Sequence, residues 1–457
     1  RKVRVPEALL SAAAPVVPAE RAELPGGVTA LRLPNGLRVR LLVHPATPDG
    51  PAQSTMRLRA AGGRHGDVTL GSDGAIQTAL WALENSGAGE WSREQLQLYK
   101  KVHGVSSDCR AGPDYVEADV HFAPSVSSCR AGLEWLRLLL EAPQMDLTGF
   151  TEAQLRLKGT VHAREKSMEG KALQVLMQDM YPRDSWLWEA TVDQVNRLTL
   201  GQAKKALQAQ LGDLSNLELD IASSAAPAVA LKKEGGGQSM SHDEAPDADG
   251  AGLAAASGAS DQAIEDMRLA LEREVCAVLG DLPAGTTVAQ VGDPRPAMAW
   301  GGCERRVHLP DADERALVFV AGGAPGYWGQ GDATWEDAIG DKCQGWTDRC
   351  RADPAYAAMA MSLMAECMNT RLLSRLRDHL SLTYNCEIDV SMFEGFPGGF
   401  YLCRLFAAPS RLAAAAAAAV DVLNSPRQHP FMDAEVEASK KVMAYREGRD
   451  QRQRGYW

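Results

Sequence analysis

The segment LMAECMNTRLLSRLRDHLSLTY (residues 363–384) decides the fold of the C-terminal part of the chain. Its apolar residues recur at helical spacing and, with the residues before them, predict one helix over 355–380. The pattern then changes to that of strands, which are predicted over 382–393 and 399–407. The predicted buried row of the helix consists of Tyr356, Met359, Leu363, Cys367, Leu373, Leu376 and Leu380.

The first half of the sequence repeats this plan. VTALRLPNGLRVRLLVH (28–44) predicts a hairpin that turns at Pro-Asn-Gly, and STMRLRAAGG (54–63) predicts a third strand. The later segment ERALVFVAGG (314–323) resembles that third strand, since each runs into Gly-Gly. We therefore predict an α+β fold of two homologous domains, each a mainly antiparallel sheet packed with helices. The other predicted helices span 73–85, 92–103, 126–142, 151–168, 170–181, 201–211 and 261–282, and the other strands span 115–123 and 217–222.

Shifts in composition predict the domain boundaries. Residues 1–27 are rich in Pro, Ala and Gly and are predicted to be a linker. The first domain is expected over 28–283, with a disordered Gly/Ser/Asp-rich insertion at 223–260. A second linker is expected at 284–303, and the second domain at 304–457. Its last helix is expected to continue beyond the given sequence, so the second domain is predicted to be truncated.

Composition excludes several classes of function. Hydrophobic content of 45%, charged content of 23% and the lack of a long apolar run argue against an integral membrane protein. A net charge of -11 disfavours nucleic acid as a partner. Nine cysteines without a C-x-x-C pair indicate reduced thiols rather than a disulfide framework.

Three segments together resemble a known family. LPNGLRV (33–39), SGAGEWSREQLQLY (86–99) and 363–384 are similar to the C-terminal half of a pitrilysin/insulinase-family zinc metallopeptidase. The resemblance implies two halves that close on an unfolded peptide, with zinc held in the first half by an H-x-x-E-H helix and a distal glutamate. Within the family, the sequence is most similar to enzymes that remove transit peptides in the chloroplast stroma. A transit peptide and an N-terminal catalytic half are therefore the implied partners.

The chain itself has no H-x-x-E-H motif. The corresponding positions fall near Gln77, Leu80 and Trp81, and these side chains are unsuited to zinc. His162 and Glu165 form half of such a motif, but their charged surroundings favour a solvated helix face. We therefore expect that this chain binds no metal and is inactive alone, and that zinc belongs to the other half of the full-length enzyme.

The resemblance assigns roles to two residues of the segment 363–384. Arg377 is implied to hold the substrate backbone, and Tyr384 is implied to hold substrate and donate a hydrogen bond in the transition state. Taken alone, the residues favour an arginine that is stabilised at a helix C-terminus and an amphipathic strand tyrosine, and only the match of the surrounding segment favours the functional roles. Ser381 replaces a glycine that is usual in the family, whereas Asn369 and Arg371 are expected to fix the helix.

The expected function is therefore that of the substrate-enclosing half of a zinc metalloendopeptidase. The alternative is a catalytically inactive scaffold or a peptide-binding subunit of the same fold. Relatives in respiratory-complex core subunits provide a precedent for the alternative. The N-terminal sequence, which begins with Arg1, shows no targeting pattern from which a location could be inferred directly.

Overall fold

The computed structural model describes residues 6–11, 14–24, 26–45, 54–141, 143–181, 187–225, 261–285, 304–309, 315–326, 356–392 and 398–450. Most of the predicted insertion, most of the second linker and the turn between the last two predicted strands lie outside the described residues. Within the described part of the chain, no helix is long and apolar enough to cross a membrane.

The described chain contains the following strands and helices. The strands are β1 (Glu20–Leu24), β2 (Val28–Arg32), β3 (Arg38–Pro45), β4 (Ser54–Ala61), β5 (Gly87–Ala88), β6 (Ser106–Ala111), β7 (Tyr115–Phe122), β8 (Pro143–Gln144), β9 (Leu217–Ala225), β10 (Ala316–Ala324), β11 (Asn385–Met392) and β12 (Gly399–Ala407). The α-helices are α1 (His65–Leu70), α2 (Ala75–Glu84), α3 (Arg93–Val102), α4 (Val126–Glu141), α5 (Leu147–Lys166), α6 (Met168–Met180), α7 (Val192–Arg197), α8 (Leu200–Leu211), α9 (Asp261–Leu279), α10 (Tyr356–Leu372), α11 (Leu412–Asn424) and α12 (Asp433–Asp450).

The first sheet contains seven of the described strands, in the order β1-β2-β3-β9-β4-β7-β6. All neighbours are antiparallel except β3 and β9. The predicted hairpin of β2 and β3 is confirmed, and its turn contains Gly36 at φ 94°. Asn35 accepts the N–H of Leu37 at 3.2 Å and donates to the carbonyl of Leu279 at 2.8 Å, so the turn is tied to the end of α9.

Helices cover one face of this sheet. Residues of β7 alternate between half-buried and buried, as expected for a strand with one face on a core. The apolar residues of α9 form one stripe, in which Leu271, Val275 and Leu279 are fully buried and Ile264 and Met267 pack beside them. Burial of this stripe holds α9 against β3 and α4.

The predicted linker over residues 1–27 is wrong where the structure describes it. Leu9 is buried in the core, and its N–H donates to the fully buried Glu134 carboxylate at 2.9 Å. Residues 20–24 form strand β1, which pairs with β2 at the edge of the sheet. The predicted start of the insertion at residue 223 is also wrong, since strand β9 extends to Ala225. Both errors arise because pairing to a distant strand or helix orders segments that have little periodicity of their own.

The second sheet has the order β10-β12-β11, and all its pairs are antiparallel. Strands β4, β7 and β6 of the first sheet have the same order and the same pairing. In each case, a helix between the first two strands in the sequence packs beside the edge strand, namely α2 beside β6 and α10 beside β11. The predicted α+β class and its repeated plan are thereby confirmed.

The helix predicted over 355–380 is interrupted. It is α-helical to Leu372 and continues as a π-helix over Leu373–His379. Cys367 and Leu376 of the predicted row are buried, but Tyr356, Met359 and Leu380 are exposed, so the prediction is wrong for these three. Met368, Leu372 and Leu376, which follow one another at intervals of four residues, lie in the core of the second sheet instead.

Candidate functional site

The candidate site lies where the π-helix ends and β11 begins. The N–H of Leu380 donates to the carbonyl of Arg375 at 3.1 Å, and the N–H of Leu382 donates to that of Leu376 at 2.8 Å. These bonds satisfy carbonyl groups that a helix end leaves without intrahelical partners. The hydroxyl of Thr383 lies 2.5 Å from the carbonyl of Phe406, which anchors the start of β11 against β12. A rigid helix-to-strand junction therefore carries the two predicted site residues, Arg377 and Tyr384.

Arg377 lies at the surface of this junction. Its Nε donates to Asp378 at 2.9 Å, and each of these two side chains is about half exposed. An exposed ion pair between sequence neighbours contributes little to stability, because water screens it. The guanidinium group therefore has donors that can be redirected to an incoming carbonyl or carboxylate at low cost.

Tyr384 is 67% exposed, although it begins a strand-forming segment. One face of its ring lies near Phe406, with ring centroids 5.9 Å apart. This contact restrains the ring while the phenol remains accessible. A restrained phenol is suited to donate a hydrogen bond to an oxyanion. The structure thus places Arg377 and Tyr384 at one accessible junction.

Ser381 lies between these two residues and has a left-handed backbone, with φ 51°. Among the described residues other than glycine, it alone has a positive φ. Its carbonyl accepts a hydrogen bond from Arg411 at 2.7 Å, which holds the turn in place. The backbone at Ser381 is strained because its Cβ is unfavourable in the left-handed conformation, which glycine usually adopts after a helix C-terminus.

We expect Ser381→Gly to stabilise the chain by about 1 kcal/mol, because glycine adopts a positive φ without a Cβ clash. Urea denaturation of both proteins measures this change. Ser381→Ala is the matched control, since it removes the hydroxyl but keeps the Cβ, and it should give no gain. Equal stabilisation by both substitutions would show that the backbone strain is not the cause.

Arg371 and Asn369 have structural contacts, in agreement with their expected role. Arg371 forms a bidentate pair with Glu435 at 2.7 and 2.8 Å, and donates to the carbonyls of His429 and Pro430. This pair lowers the pKa of the Glu435 carboxyl to about 2, with a smaller contribution from a backbone N–H. The site helix is thereby tied to α12.

The family resemblance in the sequence places the family's zinc-binding helix at α2. Gln77 bonds to the backbone of β6, Leu80 is buried, and the Trp81 ring lies under Arg156 at 3.9 Å from its centroid. An amide with two backbone partners, an aliphatic side chain and an indole do not fit a metal ion. Among the described residues, no group of three or more His, Cys, Asp or Glu side chains could hold one. His162 is exposed, in agreement with a solvated helix face.

Two buried carboxyl groups near α2 were missed by the sequence analysis. Burial raises the pKa of Asp67 and that of Glu84 to about 7 in each case. Asp67 accepts the N–H groups of Gly74 and Ile76 at 3.0 and 2.9 Å and so caps the start of α2. Glu84 lies near Lys100, whose pKa is lowered by burial. Asp67 lies seven residues before Gly74 and nine residues before Ile76. No short sequence motif therefore reveals this cap.

Comparison with known proteins identifies relatives over nearly the whole chain. No protein-family model matches. The chain is 24% identical over 459 residues to the chloroplastic stromal processing peptidase of Arabidopsis thaliana, covering 94% of this chain and 32% of the relative. The corresponding protein of Pisum sativum is 23% identical over 453 residues, with the same coverage. The chain therefore spans about a third of the length of these relatives.

Solved structures with the same fold include two proteases and a domain described as inactive. The periplasmic protease PqqL from Escherichia coli superposes with a TM-score of 0.68 and 15% identity, covering 99% of this chain and 42% of that protein. The peptidase M16 inactive domain from Pseudomonas fluorescens gives 0.61 and 14%, covering 91% and 83%. The ferredoxin protease FusC, solved in complex with Arabidopsis ferredoxin, gives 0.64 and 14%, covering 99% and 42%.

Proposed function

Because this chain is homologous to the stromal processing peptidases and has the fold of the M16 peptidases, we propose that it is the substrate-enclosing half of a zinc metalloendopeptidase. The implied reaction is removal of a transit peptide from an imported precursor. The observation that carries the proposal is the junction at Arg377 and Tyr384, because it lies within the segment that resembles the family. The α2 helix, by contrast, contributes to no group of three or more His, Cys, Asp or Glu side chains that could hold a metal, as far as the described residues show.

In this proposal, an N-terminal catalytic half would hold zinc and a general base, and the metal would supply Lewis-acid chemistry for the hydrolysis. The present chain binds and orients the peptide. Arg377 donates to a backbone carbonyl of the substrate, which places the scissile bond. Tyr384 donates its phenolic hydrogen to the oxygen on which negative charge develops. Both side chains have the exposure that these roles require.

The proposed location is the chloroplast stroma, since the relatives at 23 and 24% identity are chloroplastic enzymes. The net charge of -11 supports the proposed substrate class. Transit peptides are rich in arginine and poor in acidic residues, so an acidic chain attracts them. This electrostatic contribution should weaken as ionic strength rises.

A reconstitution experiment tests the proposal. The 457-residue chain, a catalytic half from a stromal processing peptidase, and the two halves together are each incubated with a fluorescent transit peptide. We expect the present chain alone to bind the peptide without cleaving it, and the combined halves to cleave at least tenfold faster than the catalytic half alone. Cleavage by the isolated chain, or failure to bind, would contradict the proposal.

The alternative is an inactive scaffold or peptide-binding subunit. Its support is the structural similarity to a domain described as inactive, which this chain matches over 91% of its length. The same experiment separates the two functions. A scaffold would bind a partner protein or a peptide, but would leave the cleavage rate of the catalytic half unchanged.

A further inference from the structure

In each of the two sheets, a side-chain amide forms hydrogen bonds with backbone groups of the corresponding edge strand. We propose that Gln77 and Asn369 close the edge strands β6 and β11 against the addition of an extended polypeptide. Within the described residues, β6 ends the first sheet and β11 ends the second. An exposed strand edge is a template for another strand, whether from a peptide or from a second copy of the chain. This inference does not depend on the proposed peptidase function.

The pairing of β6 shows which of its backbone groups face outward. Gly112 donates its N–H to the carbonyl of Tyr115 at 2.7 Å, beside the β6–β7 ladder. Because hydrogen-bonded positions alternate in an antiparallel pair, Cys109 and Ala111 direct their backbone groups away from β7. Gln77 accepts the N–H of Ala111 at 2.8 Å and donates to the carbonyl of Cys109 at 3.4 Å. The amide thus replaces the donor and the acceptor that an added strand would provide.

Asn369 makes the equivalent contacts at the edge of the second sheet. Its side-chain oxygen accepts the N–H of Ile388 at 2.7 Å, and its nitrogen donates to the carbonyl of the same residue at 3.3 Å. Both backbone groups of Ile388 are therefore engaged on the side opposite to β12. Gln77 and Asn369 lie on α2 and α10, the helices that pack beside the two edge strands.

Addition of a strand to β6 or β11 at these residues would displace the side-chain amide of Gln77 or Asn369. The incoming strand would gain two backbone hydrogen bonds but would break two existing ones and displace a half-buried side chain. Since one hydrogen bond exchanged for another yields little net free energy, the closed edge gains almost nothing from a strand. A polypeptide that meets this chain is consequently held by side-chain contacts and not by extension of β6 or β11 at these residues.

Hydrogen exchange of the wild-type chain is the first test. The amides of Ala111 and Ile388 should exchange at least tenfold more slowly than unstructured amides, although both lie on edge strands. Gln77→Ala should accelerate exchange at Ala111 by at least tenfold, and Asn369→Ala should do so at Ile388. Gln154→Ala is the matched control, because its half-buried amide bonds to the carbonyls of Val195 and Leu198, away from both edges. Unprotected amides in the wild type would overturn the proposal.

Peptide binding is the second test and uses a fluorescent peptide with the sequence YVEADVHF, which is that of β7. This sequence already pairs with the inner side of β6. Gln77→Ala should bind it at least tenfold more tightly than the wild type or Gln154→Ala. Equal binding by all three folded proteins would overturn the closure of this edge. If Gln77→Ala does not fold, Gln77→Met, which keeps the length of the side chain but makes neither hydrogen bond, is measured in its place with the same criterion.

Discussion

Tyr384→Phe should lower kcat of the full-length enzyme about 100-fold, with KM changed less than about twofold. The substitution removes one phenolic hydroxyl and leaves the ring against Phe406. A hydrogen bond that strengthens only as charge develops on the substrate oxygen contributes to the transition state and not to substrate binding. Steady-state hydrolysis of a transit-peptide substrate measures both constants. The prediction rests on the proposed role of this junction in the closed enzyme.

Tyr445→Phe is the matched control for this prediction. Tyr445 is also exposed, at 75%, but it lies on α12 and outside the junction. It should leave both constants unchanged. A fall in kcat that is equal in the two variants would indicate a general loss of structure. An unchanged kcat in Tyr384→Phe would contradict a role in the transition state.

Arg371→Ala should destabilise the second sheet and its helices by about 3 kcal/mol. The substitution leaves the Glu435 carboxylate without its bidentate partner and removes donors from the carbonyls of His429 and Pro430. It also removes the cation–π contact with the Phe431 ring, 4.4 Å from the guanidinium carbon. Both members of the pair are largely shielded from water, with side chains 17% and 19% exposed. Urea denaturation monitored by circular dichroism measures the loss.

Two variants control for this loss. Lys440→Ala breaks the pair with Glu437 on α12, whose two side chains are 55% and 62% exposed, so the cost should stay below about 1 kcal/mol. Glu435→Gln tests the pH dependence. Because the folded pKa of Glu435 lies near 2, below its ordinary 4.5, the pair stabilises fully above about pH 4.5 and is lost as pH falls toward 2. Glu435→Gln should remove this acid-dependent part. An unaltered acid profile would show that other carboxylates dominate.

Local sequence determined the types and order of most elements. Strand alternation and the Pro-Asn-Gly turn predicted the hairpin of β2 and β3, and the capping box that begins α3 lies within the four residues from Ser92 to Gln95. These features depend on contacts between residues a few positions apart, so a single sequence contains the information. The sequence also places Arg377, Ser381 and Tyr384 in one short segment, and the family resemblance identifies the position of Ser381 as one where glycine is usual.

Long-range pairing decided the rest. Leu9 is held by its hydrogen bond to Glu134, and β1 is held by its pairing with β2. The composition of these two segments indicates neither contact. The π-helix before Ser381 is likewise not indicated by the apolar spacing of the segment. Most clearly, Gln77 could be recognised from sequence as a poor metal ligand, but only the folded chain shows its bonds to β6, 32 and 34 residues away. A hydrogen bond between distant segments is specified by the whole core that brings them together, and that is why only the tertiary structure could reveal it.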